Sequence, residues 1–449
     1  MVNLLDSAIF APLFIDDEIS RLLSDDSFVR ALVAVEVALA RAEARVGVIP
    51  ASAAEEITEA QTGTIDVGAL AKGTARSGFP IIALVQELRK HVSTEAAPYV
   101  HWGATTQDIM DTACVLQLRA VIVRLKAQIR VIAQHLSPLA EKHRHTVLAG
   151  RTHGQQALPI TFGLKVAAWL APLPRHDQRI EEISARLFVV QFGGAAGTLA
   201  ALGDKGLPVT EELAKELKLG VPAMPWHAQR DNFVEFASWL SLVTGSLGKM
   251  AQDIILLAQS EVGEVGESGE EGRGGSSTMP QKSNPITSEL ILAAARTNAS
   301  LLSAMHQAQI QEQERATHGW QMEWLTLPQM ISLAGGALKH GAYLAKNLQV
   351  DPVAMRANMA RANDVALAEA AVFALANGMP RSKAEELVKK ACVVAIAENK
   401  PLIETVKRLA GGAVKKGKVD WQALAKPESY LGETEKIIDR ILHQAKKLS

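Results

Sequence analysis

The stretch GGSSTMPQKSNP, residues 274–285, places two adjacent hydroxyl groups, those of Ser276 and Ser277, shortly before Lys282. Its glycine and proline content is too high for a helix or a strand, so the sequence predicts a loop. Glycine at its start permits a positive backbone φ and a close approach to a ligand. A lysine supplies a point charge for an anion, and a serine hydroxyl can carry a proton. This stretch, called the signature loop below, is therefore a candidate site for an anionic substrate.

The composition is that of a globular protein with a large core. The chain has 449 residues, 48% of them hydrophobic, and its net charge of -1 gives no global case for nucleic-acid binding. Cys114 and Cys392 lie far apart in apolar patterns, as the reduced core cysteines of cytosolic proteins do. Acidic residues interrupt the N-terminal region early, and no uncharged apolar run approaches the roughly 20 residues of a membrane span. The sequence predicts a soluble, cytoplasmic protein that binds neither nucleic acid nor membrane.

Apolar residues recur at helical spacing through most of the chain. Between Asp108 and Leu136 they follow each other at intervals of three and four, with further apolar residues between them. Residues 235–260 show a similar pattern with few charges, while strand-like alternation is scarce. Asp108 or Asp111 is expected to cap the first of these helices and Pro138 to end it. The sequence predicts an all-α fold whose long helices are surrounded by others, in a bundle interior or a subunit interface.

Breaks in this pattern divide the chain into three predicted parts. Residues 1–100 form short helices, residues 101–350 carry the long apolar helices, and residues 351–449 form shorter and more charged helices. Loops rich in glycine and proline interrupt the central part. The polar segments with chemical potential all fall in that central part.

Two further polar segments do not fit helix packing. HWGATTQD, residues 101–108, places Thr105 and Thr106 directly before a helix, where they could cap it or bind a carboxylate. GRTHGQQA, residues 150–157, contains His153. An isolated histidine more often makes a structural hydrogen bond, but an imidazole with a pKa of about 6.5 can also donate a proton at neutral pH. Taken alone, neither segment decides between a structural and a chemical role.

The signature loop resembles the GSSxMPxKxNP motif of the fumarase/aspartase superfamily, whose members eliminate fumarate from succinyl-type substrates. The RTHGQ stretch resembles the general-acid motif of that superfamily, and the threonine pair resembles its carboxylate-binding region. The resemblance implies anti β-elimination through an aci-carboxylate carbanion, with Ser276 as the base and His153 as the acid. It also implies that Glu289, thirteen residues after Ser276, orients the histidine. The alternative for Glu289 is a favourable acid in the first turn of a helix.

The resemblance assigns substrate contacts to further residues. Lys282 and the glycine N–H groups would stabilise the Ser276 alkoxide, and Lys282 and Asn284 would hold substrate carboxylates. For Arg230 and Arg315, ion pairing within the protein is the alternative to a bidentate contact with substrate. The full set of substrate-binding residues implied by the motifs is Thr105, Thr106, Thr152, Ser277, Asn284, Gln229, Arg230 and Arg315.

Within this superfamily the chain looks most similar to the bacterial 3-carboxy-cis,cis-muconate cycloisomerases, for instance at residues 191–203 and 225–227. It departs from them at His153, where they carry a residue such as Trp, and at Glu289, which they lack. Ser283 stands where an arginine usually follows the lysine. Lactonisation uses a carboxylate of the substrate and can dispense with an acid relay. The resemblance therefore favours a lyase that splits a C–N bond of a succinyl adduct and releases fumarate. The cycloisomerase is the alternative, and a non-catalytic scaffold is a minor one.

The superfamily builds its core from twenty long helices of four subunits, and each active site takes its three segments from three chains. The resemblance thus implies a homotetramer with shared active sites that acts on a small dicarboxylate-type substrate. Residues 264–280 would form a lid with low order in the absence of substrate. No Cys/His cluster has zinc spacing and no GxGxxG follows a strand, so the sequence predicts neither a metal nor an organic cofactor.

Overall fold

A computed structural model of the chain describes residues 7–267, 274–275, 278–279, 282–414 and 418–448. The helices in this part of the chain are α1 (Ala11–Phe14), α2 (Asp17–Leu22), α3 (Asp25–Val46), α4 (Ala51–Glu59), α5 (Val67–Ser77), α6 (Ile81–Arg89), α7 (Thr106–Lys142), α8 (Phe162–Leu170), α9 (Pro172–Leu187), α10 (Gly206–Leu217), α11 (Asp231–Leu257), α12 (Ile286–Ala308), α13 (Gly319–Asn347), α14 (Pro352–Arg361), α15 (Ala368–Ala376), α16 (Arg381–Glu398), α17 (Leu402–Ala410), α18 (Trp421–Leu424) and α19 (Thr434–Ala445). The strands are β1 (Val147–Thr152), β2 (Gln155–Thr161), β3 (Val265–Glu267) and β4 (Leu348–Val350). Helices make up 70% of the structure, which confirms the all-α prediction.

Helix α7 differs from its prediction in part. The Asp108 carboxylate accepts the backbone N–H directly before the helix at 3.0 Å, as a cap does, and it also binds groups from other segments, as described below. The Asp111 carboxylate does not cap the helix and binds a group from another segment. The prediction that Pro138 ends the helix was wrong, because α7 continues past it. A proline inside a helix removes a hydrogen bond and costs about 3 kcal/mol. Leu136 and Ala140, on either side of the proline, are fully buried, and this burial favours continuing the helix through that position.

Strands β1 and β2 form an antiparallel hairpin that the periodicity did not predict. Thr152 pairs with Gln155, so His153 and Gly154 are its two-residue loop. Their φ angles are +50° and +77°. Hairpin loops of this length favour type I′ turns, which need positive φ at both central residues and commonly contain Asn-Gly. The turn therefore holds His153 in a backbone conformation that few non-glycine residues adopt.

The chain groups into two compact units, each built from three separate segments. Unit 1 comprises Met1–Gln128, His176–Gly245 and Ala294–Lys339, and unit 2 comprises Ile129–Arg175, Ser246–Ala293 and His340–Ser449. The predicted division into consecutive parts, 1–100, 101–350 and 351–449, concerns order along the chain and stays a prediction.

The core of unit 1 lies around α3, α6 and the first turns of α7. Leu39, Leu84 and Ile109, one from each helix, are fully buried in one apolar cluster. The rings of Phe79 and Trp320 stack at this cluster with their centroids 5.6 Å apart. Burial of such side chains contributes about 2 kcal/mol each, and this core fixes the start of α7.

In unit 2 the β1–β2 hairpin packs against α14, and α15, α16 and α17 form a separate apolar cluster. Ala149 of β1 and Met359 of α14 are both buried where hairpin and helix meet. Leu375, Ala391 and Leu402 are buried in the cluster of the C-terminal helices. The hairpin that carries His153 is thus supported by packed side chains rather than by its two strands alone.

Among the described residues, helix α11 alone is long and apolar enough, by length and composition, to cross a membrane. A core helix of a globular protein meets the same criteria. Phe236, Trp239 and Leu240 of α11 are buried, and the Trp239 indole N–H donates to the His176 carbonyl at 2.9 Å. These are the contacts of a core helix, and the absence of a membrane partner remains a prediction.

Helix α3 buries a carboxyl group in unit 1 that should make stability depend on pH. Glu43 is 0% exposed, and among the described residues neither of its carboxyl oxygens has a hydrogen-bond partner. Burial, and then the nearby carboxylate of Glu36, raises the pKa of Glu43 from 4.5 to about 9. Stability from this group is therefore fully present below pH 4.5 and is lost as pH rises towards 9, because only the unfolded chain ionises over that range.

Glu43→Gln is expected to remove this pH dependence, because glutamine has nearly the same shape and does not titrate. We expect the free energy of unfolding of the wild type to fall by about 1 kcal/mol per pH unit relative to the variant, since one pKa unit corresponds to about 1.4 kcal/mol. Urea denaturation between pH 6 and 8, at one protein concentration, measures this difference. Glu55→Gln, at an exposed position of α4, is the matched control. Parallel curves for wild type and Glu43→Gln would show that Glu43 is ionised in the folded chain.

Candidate active site

The predicted acid, His153, lies at the tip of the hairpin in unit 2. His153 and Thr152 are both exposed, and so is Glu289 in the first turn of α12. No hydrogen bond joins His153 to Glu289 among the described residues. The two side chains are therefore not in hydrogen-bond contact in the described part of the chain. That Glu289 orients His153 stays a prediction.

The ends of the signature loop are held together in unit 2. The Asn284 N–H donates to the Gly274 carbonyl at 2.8 Å, and Gly275 and Ser283 form an antiparallel bridge. Gly274 has φ +71°, and a Cβ at this position would lie 2.4 Å from the Asn284 carbonyl oxygen. Glycine is thus required at position 274 because its backbone lies close to the other end of the loop. Lys282 is exposed.

Several predicted positions of the loop lie outside the described residues. These are Ser276 and Ser277, together with most of the predicted lid, residues 264–280. Their roles and the predicted low order of the lid remain predictions. The helix that follows the loop is capped within the described part, because the Glu267 carboxylate accepts the N–H groups of Thr287 at 2.9 Å and Ser288 at 2.8 Å.

In unit 1, two predicted site residues contact each other. The Arg315 guanidinium donates through Nη1 to the Thr105 hydroxyl at 2.7 Å, and both residues are half-buried. Thr106 begins α7 next to them. A guanidinium beside a hydroxyl at a helix N-terminus is an arrangement that can bind a carboxylate. The described contact of Arg315 is with a hydroxyl and is not an ion pair, which was the alternative for this residue.

Asp108 connects this segment to two others, a role that the sequence did not reveal. Its carboxylate accepts the N–H groups of Thr105 at 3.0 Å, Gly193 at 2.9 Å and Gly194 at 2.9 Å. Its Oδ1 also lies 2.7 Å from His227 Nε2, and both side chains are buried. Asp108 therefore joins three segments of unit 1 below Thr105. Its position two residues after the threonine pair suggested only a helix cap, because its other partners lie far away in sequence.

Arg230 occupies a different environment from the one expected of a substrate contact. Its guanidinium is fully buried and donates to Asp111 at 2.6 and 3.1 Å and to Glu323 at 2.8 and 2.6 Å. Burial opposes the charge, but the two carboxylates outweigh it and raise the pKa of Arg230 above its ordinary value. Arg230 therefore makes ion pairs within the protein, which was the alternative to a substrate contact. These pairs form a buried network rather than a surface pair. Its neighbour Gln229 is exposed.

A second, partly buried pair precedes Thr105. His101 has φ +66°, and its Nδ1 lies 2.7 Å from the buried Glu36 carboxylate. Burial lowers the pKa of His101, but the Glu36 carboxylate outweighs it, so that the net effect raises the pKa. The imidazolium–carboxylate pair anchors the start of the 101–108 segment to α3. In the part of the chain that is described, no three His, Cys, Asp or Glu side chains form a group that could hold a metal ion, and the expected absence of a cofactor stays a prediction.

Comparisons with known proteins extend these observations to the whole chain. A family described as "Lyase" matches residues 16–297, and one described as "Adenylosuccinate lyase C-terminus" matches residues 364–441. The 3-carboxy-cis,cis-muconate cycloisomerase of Acinetobacter baylyi is 42% identical over 446 residues, which cover 98% of this chain and 99% of that protein.

Two crystal structures share the fold over nearly their full lengths. The 3-carboxy-cis,cis-muconate lactonizing enzyme from Pseudomonas putida has a TM-score of 0.91 and 41% identity, covering 98% of this chain and 100% of that one. The fumarate lyase from Mesorhizobium sp. BNC1 has a TM-score of 0.89 and 42% identity, covering 96% and 98%. The shared helical fold and the family match define an enzyme of the lyase class. The chain belongs to the fumarase/aspartase, or fumarate lyase, superfamily, whose enzymes act on small dicarboxylates.

Proposed function

We propose that this enzyme is a cycloisomerase that closes a lactone ring in a conjugated polycarboxylate, with 3-carboxy-cis,cis-muconate as the substrate. The observation that carries the proposal is 42% identity, over 98% of the chain, with a cycloisomerase of that name. The sequence motifs favoured C–N cleavage, with the cycloisomerase as the alternative. The comparisons support that alternative better, and C–N cleavage is unconfirmed.

In the proposed reaction, a carboxylate oxygen of the substrate adds to a carbon–carbon double bond and forms the C–O bond of the lactone. The electron pair of the double bond moves to the neighbouring carbon and into its carboxylate, giving the aci-carboxylate. Protonation of that carbon completes the addition. We assign the proton to Ser276, which would remove it in the reverse direction. Lys282, an exposed cation of the same loop, is assigned to hold the charged carboxylate.

The remaining carboxylates of the substrate require further donors. Arg315 and the hydroxyl of Thr105, already in contact, are proposed to bind one of them with Thr106. Other polar residues of the motifs complete the proposed binding set: Thr152, Ser277, Asn284 and Gln229. Arg230 is left out of this set, because four of its hydrogen bonds already go to buried carboxylates.

Release of fumarate from a succinyl adduct is the second candidate function. The observation that favours it is the pair His153 and Glu289, an acid and its orienting group in the superfamily's elimination chemistry. The exposed position of His153 on a constrained turn suits an acid that protonates a leaving group. The 42% identity with a fumarate lyase of known structure also supports this candidate.

His153→Asn separates the two candidates. Asparagine suits the first position of a type I′ turn, so the hairpin should keep its shape while the acid is removed. If elimination is the reaction, we expect kcat to fall by about 10²- to 10⁴-fold, because that is the usual contribution of general acid catalysis. If lactonisation is the reaction, kcat should change less than about threefold, since no leaving group needs a proton. Initial rates of wild type and variant on each substrate measure this, with thermal unfolding as the control for folding.

We also propose that the enzyme is a cytoplasmic homotetramer with active sites shared between chains. Large apolar side chains remain exposed along the long helices, and in a tetramer these would be covered by other subunits. Examples are Val123 and Val131 of α7, Leu242 and Leu256 of α11 and Leu325 of α13. Light scattering coupled to size-exclusion chromatography gives the mass directly, and a monomer at micromolar concentration would contradict this assembly.

The proposed function is tested by identifying the product. Wild-type enzyme incubated with 3-carboxy-cis,cis-muconate should give a proton NMR spectrum in which the two olefinic systems are replaced by that of a lactone. An unchanged spectrum after prolonged incubation, with a known cycloisomerase active in the same buffer, would reject the cycloisomerase.

A further inference from the structure

An ion pair in unit 2 connects the His153 hairpin to the segment that leads into the signature loop. Arg151, two residues before His153, donates through Nη1 to Glu264 Oε2 at 2.9 Å and through Nη2 to Glu264 Oε1 at 2.6 Å. The Glu264 side chain is 0% exposed and that of Arg151 is 25% exposed. A bidentate guanidinium–carboxylate pair fixes both the distance and the orientation of its two partners.

Glu264 is held from other directions as well. Asn358 of α14 donates to Glu264 Oε1 at 2.9 Å and to the Val262 carbonyl at 2.7 Å. The backbone N–H of Glu264 donates to the Leu257 carbonyl at the end of α11, and its own carbonyl accepts from Asp351. The residue that pairs with Arg151 is thus hydrogen-bonded to α11 and α14 as well as to the hairpin.

The same residue lies directly before strand β3, whose far end is tied to α12. Glu267 closes β3 and caps α12 through Thr287 and Ser288. The chain between β3 and α12 contains Ser276, so both ends of this stretch are anchored to the framework that Glu264 fixes. Arg151 links that framework to the turn that carries Thr152, a member of the proposed binding set, and His153, the acid of the second candidate function.

We propose that Arg151 and Glu264 are positioning residues, which hold the His153 hairpin and the base of the signature loop in one fixed arrangement. Neither residue is assigned contact with the substrate. The proposal rests on the proposed function insofar as the signature loop carries the proton donor Ser276 and the hairpin carries the binding residue Thr152. Loss of the pair should loosen both segments together and lower kcat more than it raises KM, because a misplaced proton donor slows the chemical step.

The test compares Glu264→Gln with Asp16→Asn. Asp16 is also buried and accepts bidentate hydrogen bonds from the Arg124 guanidinium. It lies in unit 1 and outside the proposed site. Both variants lose a buried ion pair and should be destabilised. Glu264→Gln alone is expected to lower kcat at least tenfold with KM within threefold, whereas Asp16→Asn should keep kcat within twofold. Arg151→Lys, which keeps the charge but not the fork, should fall between wild type and Glu264→Gln.

Hydrogen exchange provides a second measurement that does not depend on the substrate. Glu264→Gln should speed exchange in residues 147–161 and at the start of α12 together, and Asp16→Asn should leave both unchanged. Unaltered exchange in these segments, or equal loss of kcat in the two variants, would overturn the positioning role. If the wild type converts neither proposed substrate, the proposed function fails, and the exchange data alone decide whether the pair couples the two segments.

Discussion

Ser276→Ala is expected to lower kcat by about a thousandfold or more on whichever substrate the wild type converts. The superfamily resemblance implies that this hydroxyl transfers the proton to or from the substrate carbon. Removing a group that transfers a proton typically lowers the rate by about 10²- to 10⁴-fold. KM should change little, because the substrate carboxylates are assigned to other residues. Steady-state kinetics with enough enzyme to detect slow turnover measure both quantities.

Ser283→Ala is the matched control, since Ser283 lies in the same loop, is exposed and pairs with Gly275 through its backbone. This variant should retain nearly full activity. Loss of activity in both variants to the same extent would mean that the loop tolerates no substitution. Retention of activity in Ser276→Ala would remove the serine from the mechanism.

Arg230→Met is expected to destabilise the fold strongly. It leaves the carboxylates of Asp111 and Glu323 buried without their cation, and breaking a buried ion pair on one side typically costs about 3–5 kcal/mol. Chemical denaturation monitored by circular dichroism gives the free energy of unfolding. The loss should appear without substrate present, which separates a structural role from a role in substrate binding.

Arg186→Met offers a control with the same change in side chain. Arg186 pairs with Glu235, but the Arg186 side chain is 56% exposed, whereas that of Arg230 is 0% exposed. An exposed pair contributes about 0–1 kcal/mol, so this variant should unfold close to wild type. Equal stability of the two variants would contradict the buried network. A rise in KM without loss of stability in Arg230→Met would restore the substrate contact that the sequence resemblance implied.

The all-α fold could be predicted because its signal is local. Apolar residues at helical spacing along 108–136 and 235–260 mark long helices whatever their partners are. The signature loop could also be predicted as a loop, since its glycines and prolines exclude regular structure. The His-Gly pair at residues 153–154 also carried a local signal for a two-residue hairpin turn, but its flanking strands lack clear alternation and the hairpin was missed.

The environment of the charged residues could not be predicted in the same way. Arg230 sits next to a proposed substrate position, yet its partners Asp111 and Glu323 are brought to it only by tertiary packing. Asp108 suggested a helix cap and does accept the N–H before α7, but its further hydrogen bonds from Gly193 and His227, far along the chain, could not be predicted. A charged residue that becomes buried needs a partner of opposite charge or a hydrogen-bonding partner, and the fold determines which residue that partner is.

The sharpest test of the account measures kcat/KM of the wild type for two substrate types in parallel, with Ser276→Ala beside it. One arm follows the loss of the conjugated absorbance of 3-carboxy-cis,cis-muconate, and the other follows fumarate released from a panel of N-succinyl amines and amino acids. For the proposed cycloisomerase we expect rapid loss of the muconate, no fumarate, and no reaction with Ser276→Ala. Fumarate release without conversion of the muconate would contradict the proposed cycloisomerase and establish the eliminating lyase in its place.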